Sequence, residues 1–516
     1  MRINFIEGET GLIVFDAGNS VGMGKATLAM IREVSDKPIV AIIYSHHHYT
    51  GGARVYVEEG GGKDVKVFGH PDLERNLQST AGVLGPMQFR RIGIQLGFYL
   101  PHDGPDAVFG PAEPTFDDPA LAAIGHAPVN HPVTDGEEVI IDGLQAVFYH
   151  AVSDTRDSLI VHFPDLDLVL HNTAVTPMSF PLYTLRGDFY RTPVEMIAGI
   201  DKMREINAKY TVGAHGVPVT SREEGNEIAT AHRDAYSFIY NQSVRAINKG
   251  MTPDEMANTI RLPNHLDEHS WLYPGYIDNE YGVRGQYRGI LGWYSEDTAD
   301  LHPPTPEELS EVIIAGFGGA GRLIDSAEEA YREKKYNLTA KLLSYVLAVE
   351  PANETARQLK ADALRSMAQT TRSGIQTRNF LLTHALHLEG KLDWTKPPQV
   401  SLFGTPTVDM VLATPPGTYL KLLEAQIDPA KSADLEKVVK VTFTDIDRSW
   451  SLQVRRGVVE VTENLPNEVD VTLELPRAVW AQIALRDITL EEAISSGEAS
   501  VKGSEEALTA VFGSFD

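Results

Sequence analysis

The sequence predicts an α/β chain in three parts: a layered α/β domain over residues 1–222, an all-α segment over 223–395 and a smaller α+β domain over 396–516. Three observations predict it. Up to about residue 220, short apolar runs alternate with helical periodicity, and several of the runs end in histidine. From Glu223 to about residue 390 the spacing is helical. After Lys396-Pro397-Pro398, which starts a linker, strand and helix patterns resume.

Asn4-Phe5-Ile6-Glu7-Gly8 and Gly11 to Asp16 read as two strands around a glycine-containing turn. Lys25 to Val34 has helical spacing and is followed by Pro38. Ile39-Val40-Ala41-Ile42-Ile43 is continuously apolar, the mark of a strand buried on both faces. It runs into the polar stretch Tyr44 to Gly52, the place where α/β folds put their chemistry. Four further strands are predicted at Glu138–Ile141, Ala146–His150, Ser158–Phe163 and Leu166–His171. A helix over Pro193–Ile206, with proline in its first turn, leads to a strand at Tyr210–Gly213.

Glu223 to Lys249 is long and amphipathic. Ser326–Glu350 and Asn353–Gln369 read as a helix pair split by Pro351, with Ala327, Ala330, Ala340 and Ala348 at packing positions, like one tetratricopeptide unit. In the last part, helices are predicted at Val408–Ala413, Thr418–Gln426, Arg477–Leu485 and Thr489–Ser495. Strands are predicted at Val438–Phe443, Ser451–Arg455, Gly457–Val461 and Val469–Leu475.

Composition narrows the function. A net charge of −26 argues against nucleic acid as a partner, because phosphate binding needs clustered Lys and Arg. With no cysteine, thiolate ligands and disulfides are excluded, so a metal would rest on His, Asp, Glu or Tyr. No window approaches the length of a membrane span, and the N-terminal residues lack a signal-peptide pattern. A cytoplasmic address is therefore expected.

His46, His48, His171 and His215 each follow a predicted strand, as do Tyr44, Tyr49 and Asp154. In an extended segment His46 and His48 would point to one face and His47 to the other. Imidazole suits zinc and iron alike. The alternative is a polar loop that happens to contain three histidines. The apolar tract Phe89–Tyr99 reads either as core or as a pocket mouth.

The stretch from Asn4 to Gly52 resembles the start of an alkyl sulfatase of the metallo-β-lactamase fold, whose hallmark is His-x-His-x-Asp-His followed by x-Gly-Gly. Aligned on Gly51-Gly52, this chain has Tyr44, His46, His48 and Tyr49 at the four ligand positions, one of them unchanged. Leu182-Tyr183-Thr184-Leu185-Arg186-Gly187 matches a family segment. His171 stands where the family has a bridging Glu, Asp154 falls at its other Glu ligand, and His215 keeps the last His ligand. Gly275-Tyr276, Tyr287 to Trp293 and Leu301-His302-Pro303 continue the likeness. The resemblance implies an αββα sandwich, a helical dimerisation domain that makes a homodimer, and a sterol-carrier-protein-like C-terminal domain.

It further implies a hydrolase acting through a metal-bound hydroxide on an ester, sulfate esters included, of a hydrophobic small molecule. The altered ligands lead us to expect one divalent ion, Zn or Fe, held by His46, His48, His171 and His215, or three of these, with Asp154 nearby. Weak hydrolysis of simple alkyl sulfates is expected for the same reason. Arg186 is a candidate for the substrate anion, its alternative being a structural ion pair. Two other functions fit the residues: a mononuclear lyase or oxygenase with Tyr44 or Tyr49 as acid or base, and a non-catalytic lipid-binding descendant.

Overall fold

The computed structural model describes residues 2–81, 85–107, 116, 118–179, 181–370, 373–396 and 408–515. It divides into a larger unit, residues 1–74 with 86–402, and a smaller one, residues 75–85 with 403–516.

The larger unit begins with two five-stranded sheets. The first contains β1 (Asn4–Glu7), β2 (Leu12–Phe15), β3 (Ile39–Ile43), β4 (Lys66–Gly69) and β5 (His131–Pro132), side by side in that order. The second contains β6 (Glu137–Ile141), β7 (Leu144–His150), β8 (Leu159–Phe163), β9 (Leu168–His171) and β10 (Tyr210–Gly213), in spatial order 10-9-8-7-6. Alternation along each strand builds the layers. Ile13, Phe15, Ala41 and Ile43 point inward against Phe148, Val161, Phe163 and Leu170 of the other sheet. Their neighbours Leu12, Val14 and Ile42 point outward, onto Ile31 of the Val21–Arg32 helix and Tyr56 of the Ala53–Glu59 helix. On the far side Ile160 and Val169 pack on Met196, Ile200 and Met203 of the Pro193–Ile206 helix. Helix, sheet, sheet and helix thus form the αββα sandwich. Each of these fully buried aliphatic side chains contributes about 1.5–3 kcal/mol through removal from water.

The remainder of this unit is helical, from Arg222–Ile247 through Ile375–Leu388. One expectation fails here. Ser326–Glu350 is two helices, Ala320–Arg332 and Tyr336–Val349, because Lys334 takes a left-handed conformation (φ 61°) that no helix can continue through. The Phe89–Tyr99 tract lies mostly in the Gly85–Leu96 helix, which buries Ile94 and Gln95.

The smaller unit contains a third sheet: β11 (Glu436–Phe443), β12 (Arg448–Arg455), β13 (Val458–Thr462), β14 (Val471–Leu475) and β15 (Ser500–Gly503), in order 13-12-11-14-15. Leu420, Leu423, Val471, Leu473 and Leu475 pack with Phe443 and Trp450 into one core. Most of the Lys396–Pro398 linker lies outside the described residues. Among the described residues no helix is long and apolar enough to cross a membrane.

Candidate metal centre

The site is assembled by loops that leave the carboxyl ends of β2, β3, β7, β9 and β10. Ser45, just beyond β3, accepts a hydrogen bond from Leu159 N of β8 at 2.8 Å, which ties the two sheets together at this edge. Gly51 and Gly52 let the 44–52 loop lie flat on the loop after β2. A Cβ on either would come within 2.2 Å of Asn19 O or 2.1 Å of Ala17 O.

His46 remains extended (φ −175°), and His47–Tyr49 then form a 3-10 turn. The expected extended stretch is therefore replaced by a turn, yet His46 and His48 still converge, through different nitrogens. His46 Nε2 lies 3.3 Å and His48 Nδ1 3.2 Å from the same atom, Asp154 Oδ2. His47 turns to Asp157, which accepts from its backbone N–H at 2.8 Å and lies 2.9 Å from its Nδ1.

Asp154 is held from behind. Asn172 Nδ2 donates to Asp154 Oδ1, and Thr173 Oγ1 accepts from Asp154 N at 3.3 Å. Behind His46 runs a second chain of contacts. Asp16, buried at the end of β2 with φ 64°, accepts from Ser45 N at 2.8 Å and from Ser45 Oγ at 2.9 Å. Ser45 Oγ lies 2.8 Å from His46 Nδ1. Since the hydroxyl proton goes to Asp16, Nδ1–H is the donor to Ser45, and the lone pair of His46 is on Nε2. Nε2 is buried and faces Asp154 Oδ2.

Electrostatics follow from burial and from Asp154. Burial raises the Asp16 carboxyl to about 6, against the opposing charge of His46 and the Ser45 hydrogen bonds. Burial would also raise Asp154, but the charges and hydrogen bonds of His46 and His48 outweigh it and hold the carboxyl well below its usual range. Burial lowers His48 to about 3, with the charge of His47 adding to the effect, and lowers His215 to about 3. Both imidazoles are neutral at pH 7.

The remaining candidates divide. Tyr49 OH is 2.7 Å from His215 Nε2, and its ring stands edge-on to His46 with centroids 4.8 Å apart. Tyr44 is not part of the site. It continues the alternation of β3 on the outward face with Ile42, donates to Ala127 O at 2.8 Å and stacks on His126. The expected role of Tyr44 as acid or base is therefore corrected: its hydroxyl is buried in the helix-facing core, which pushes its pKa well above the usual value.

His171 lies outside the closest group. Its ring lies against Gly213, where an added Cβ would be 2.6 Å from His171 Cε1, and burial lowers its pKa to about 4. Among the described residues the atoms that gather within 4.8 Å of one another are those of His46, His48 and Asp154, without His171. His215 is linked to this group through Tyr49. Arg186 NH2 pairs with Asp188 Oδ2 at 2.5 Å, the structural ion pair that stood as its alternative, and Asp188 in turn pairs with Arg191.

Asp16, Ser45, Asp157 and Asn172 were not singled out from sequence. Asp16 carried the same signal as His46, a polar residue just past a buried strand, and Asn172 lies one residue beyond His171.

The donor set fits a divalent ion: two imidazoles and one carboxylate around a shared point. The comparisons agree with the fold around it. Residues 3–215 match the metallo-beta-lactamase superfamily model, 252–391 the alkyl sulfatase dimerisation model and 405–516 the alkyl sulfatase C-terminal model. A linear primary-alkylsulfatase of Pseudomonas sp. (strain ATCC 19151) is 32% identical over 522 residues, covering 99% of this chain and 98% of that protein. An alkyl/aryl-sulfatase of Saccharomyces cerevisiae is 24% identical, with 100% of this chain and 80% of that protein covered. The solved structure of a stereoselective inverting sec-alkylsulfatase from Pseudomonas sp. superposes with a TM-score of 0.87 at 25% identity, covering 100% of this chain and 81% of that one. With a full-length relative above 30% identity and all three parts matched, the chain belongs to the alkyl sulfatase family of hydrolases within the metallo-β-lactamase superfamily.

Proposed function

We propose that the chain is a metal-dependent hydrolase of esters of hydrophobic alcohols, sulfate esters included, working with one divalent ion held by His46, His48 and Asp154. The observation that carries this reading is the convergence of the buried His46 Nε2 and of His48 Nδ1 on Asp154 Oδ2. A divalent ion there supplies Lewis acidity and an activated oxygen nucleophile at neutral pH. The names of the relatives support the sulfate ester. One carboxylate offsets half the charge of a single divalent ion, and among the described residues no further carboxylate joins the cluster to hold a second.

The protein groups have separable roles. Asp154 orients both histidines, and the Asp16–Ser45 pair fixes the His46 tautomer. Tyr49, hydrogen-bonded to His215, holds a proton beside His46 and hands it to the departing alkoxide. The Arg186–Asp188–Arg191 group sets the charge of the adjoining wall and favours an anionic ester. The active form is a homodimer through the helical segment, and the sterol-carrier-like C-terminal domain handles the hydrophobic chain.

A second reading is favoured by the ligand types: two histidines and one carboxylate also suit Fe(II) oxygenase or lyase chemistry. The test is hydrolysis of alkyl sulfates and carboxylic esters of graded chain length by zinc- and iron-loaded protein, with and without oxygen. Turnover of an ester that is lost with chelator and indifferent to oxygen supports the hydrolase. Oxygen consumption without hydrolysis supports the iron reading.

A further inference from the structure

Three consecutive residues of the Leu182–Gly187 stretch, outside any helix or strand, are anchored by two glutamines. Gln95, on the Gly85–Leu96 helix, accepts at Oε1 from Thr184 Oγ1 at 2.9 Å and from Arg186 N at 3.2 Å. Gln376, on the Ile375–Leu388 helix, accepts at Oε1 from Leu185 N at 3.1 Å and from the same Thr184 hydroxyl at 3.2 Å. Gln376 is fully buried, and Gln95 is 4% exposed. Backbone N–H groups cut off from a strand or helix must find acceptors elsewhere, and here side-chain amides provide them. The two helices are joined in turn: Asn379, one turn beyond Gln376, donates from Nδ2 to Gln95 O at 2.9 Å.

The anchored residues lead directly to the loop that carries Asp154. Arg186 pairs with Asp188, and the ring of the next residue, Phe189, lies 5.0 Å from the guanidinium carbon of Arg156, two residues beyond Asp154. Gln376 lies in the segment that matches the dimerisation model, far along the chain from the sandwich.

We infer that Gln376 is a positioning residue: from the helical segment it fixes the Thr184–Arg186 backbone and so places the Arg186–Asp188 pair against the loop that carries Asp154. The inference rests on the metal-site assignment proposed above. It gives the helical segment a part in the reacting centre that is separate from holding two copies together.

The test compares Gln376→Met, which keeps the size and removes the acceptor, with Gln376→Glu, which keeps an acceptor oxygen. Thr383→Val is the control, on the same buried face of the same helix. All are made in the full chain loaded with metal. Gln376→Met is expected to speed hydrogen exchange at the Leu185 amide about tenfold, the size expected for one lost hydrogen bond. Inorganic sulfate should bind several-fold more weakly, the fall in kcat/KM should appear mainly in KM, and metal affinity should stay near wild type. Gln376→Glu should restore most of this, and Thr383→Val should change none of it. Unchanged exchange at Leu185 in Gln376→Met overturns the inference, as does a rise spread evenly over β3 and the whole Ile375–Leu388 helix. A wild-type protein that takes up no metal and binds no sulfate contradicts the functional proposal instead, and the exchange contrast at Leu185 still decides the role of Gln376.

Discussion

Asn172 Nδ2 donates to Asp154 Oδ1, on the side of the carboxylate away from the histidines. The same nitrogen lies 2.9 Å from Ser158 Oγ and 3.2 Å from Ser153 Oγ, so a bed of hydroxyls fixes the amide. Oδ2 is thereby left to His46 and His48. Asn172→Leu keeps the volume and removes the donor. It is expected to weaken metal binding by about 10- to 100-fold, the usual effect of losing a partner behind a ligand. Competition with a chromophoric chelator measures this, and unchanged affinity would show that Asp154 holds its orientation without Asn172.

The two tyrosines of the motif should behave differently. Tyr49→Phe removes the hydroxyl bound to His215 and is expected to retain metal while lowering kcat by about 10²-fold, the lower range for a lost acid–base group. Tyr44→Phe loses only the bond to Ala127 O, costing about 1 kcal/mol of stability with turnover unchanged. Steady-state kinetics and thermal melts on both variants check the contrast.

Acid should destabilise the fold in part through His232. This fully buried ring has Nδ1 2.9 Å from Ile228 O and accepts from Thr176 N at Nε2, so it is held neutral, and burial lowers its pKa to about 4. The unfolded chain takes up this proton near pH 6.5, whereas the folded chain resists until about 4. The stability from neutral His232 is therefore present above about pH 6.5 and is lost as pH falls towards 4, by up to about 1.4 kcal/mol per pH unit. His232→Leu is expected to be less stable at pH 7 but to have a shallower slope across this window in denaturant titrations.

The Pro306–Phe317 helix exposes Leu309, Val312 and Phe317, and Ser310 is its only buried residue. Val312 is 69% exposed, and Trp293 nearby in the chain is 63% exposed. Surface of this kind on the segment matching the dimerisation model calls for a second copy. Val312→Glu is expected to convert a dimer to a monomer in light scattering at micromolar concentration. A wild-type monomer under the same conditions contradicts the assignment.

How legible each feature was depended on periodicity. The run Ile39–Ile43 placed His46 at a strand end because a continuous apolar stretch of that length has few other uses, and β10 and the Pro193–Ile206 helix have the predicted bounds. Alternation already contained the answer for Tyr44, which shares parity with outward-facing Ile42, but the motif alignment drew it into the site. The break at Lys334 was invisible, since Glu333-Lys334-Lys335 has neither Gly nor Pro and any of these residues suits a helix interior. The place of Asp154 beside His46 and His48 could not be read locally either. It depends on the packing of two sheets, which brings together residues more than a hundred positions apart.

The most direct test of a single-ion centre is the metal content of protein purified without added metal, by elemental analysis, for wild type and for Asp154→Ala. The account predicts one equivalent of zinc or iron per chain in wild type, and its loss in Asp154→Ala with the fold retained by circular dichroism. Two equivalents in wild type, or one equivalent that survives Asp154→Ala, would contradict it.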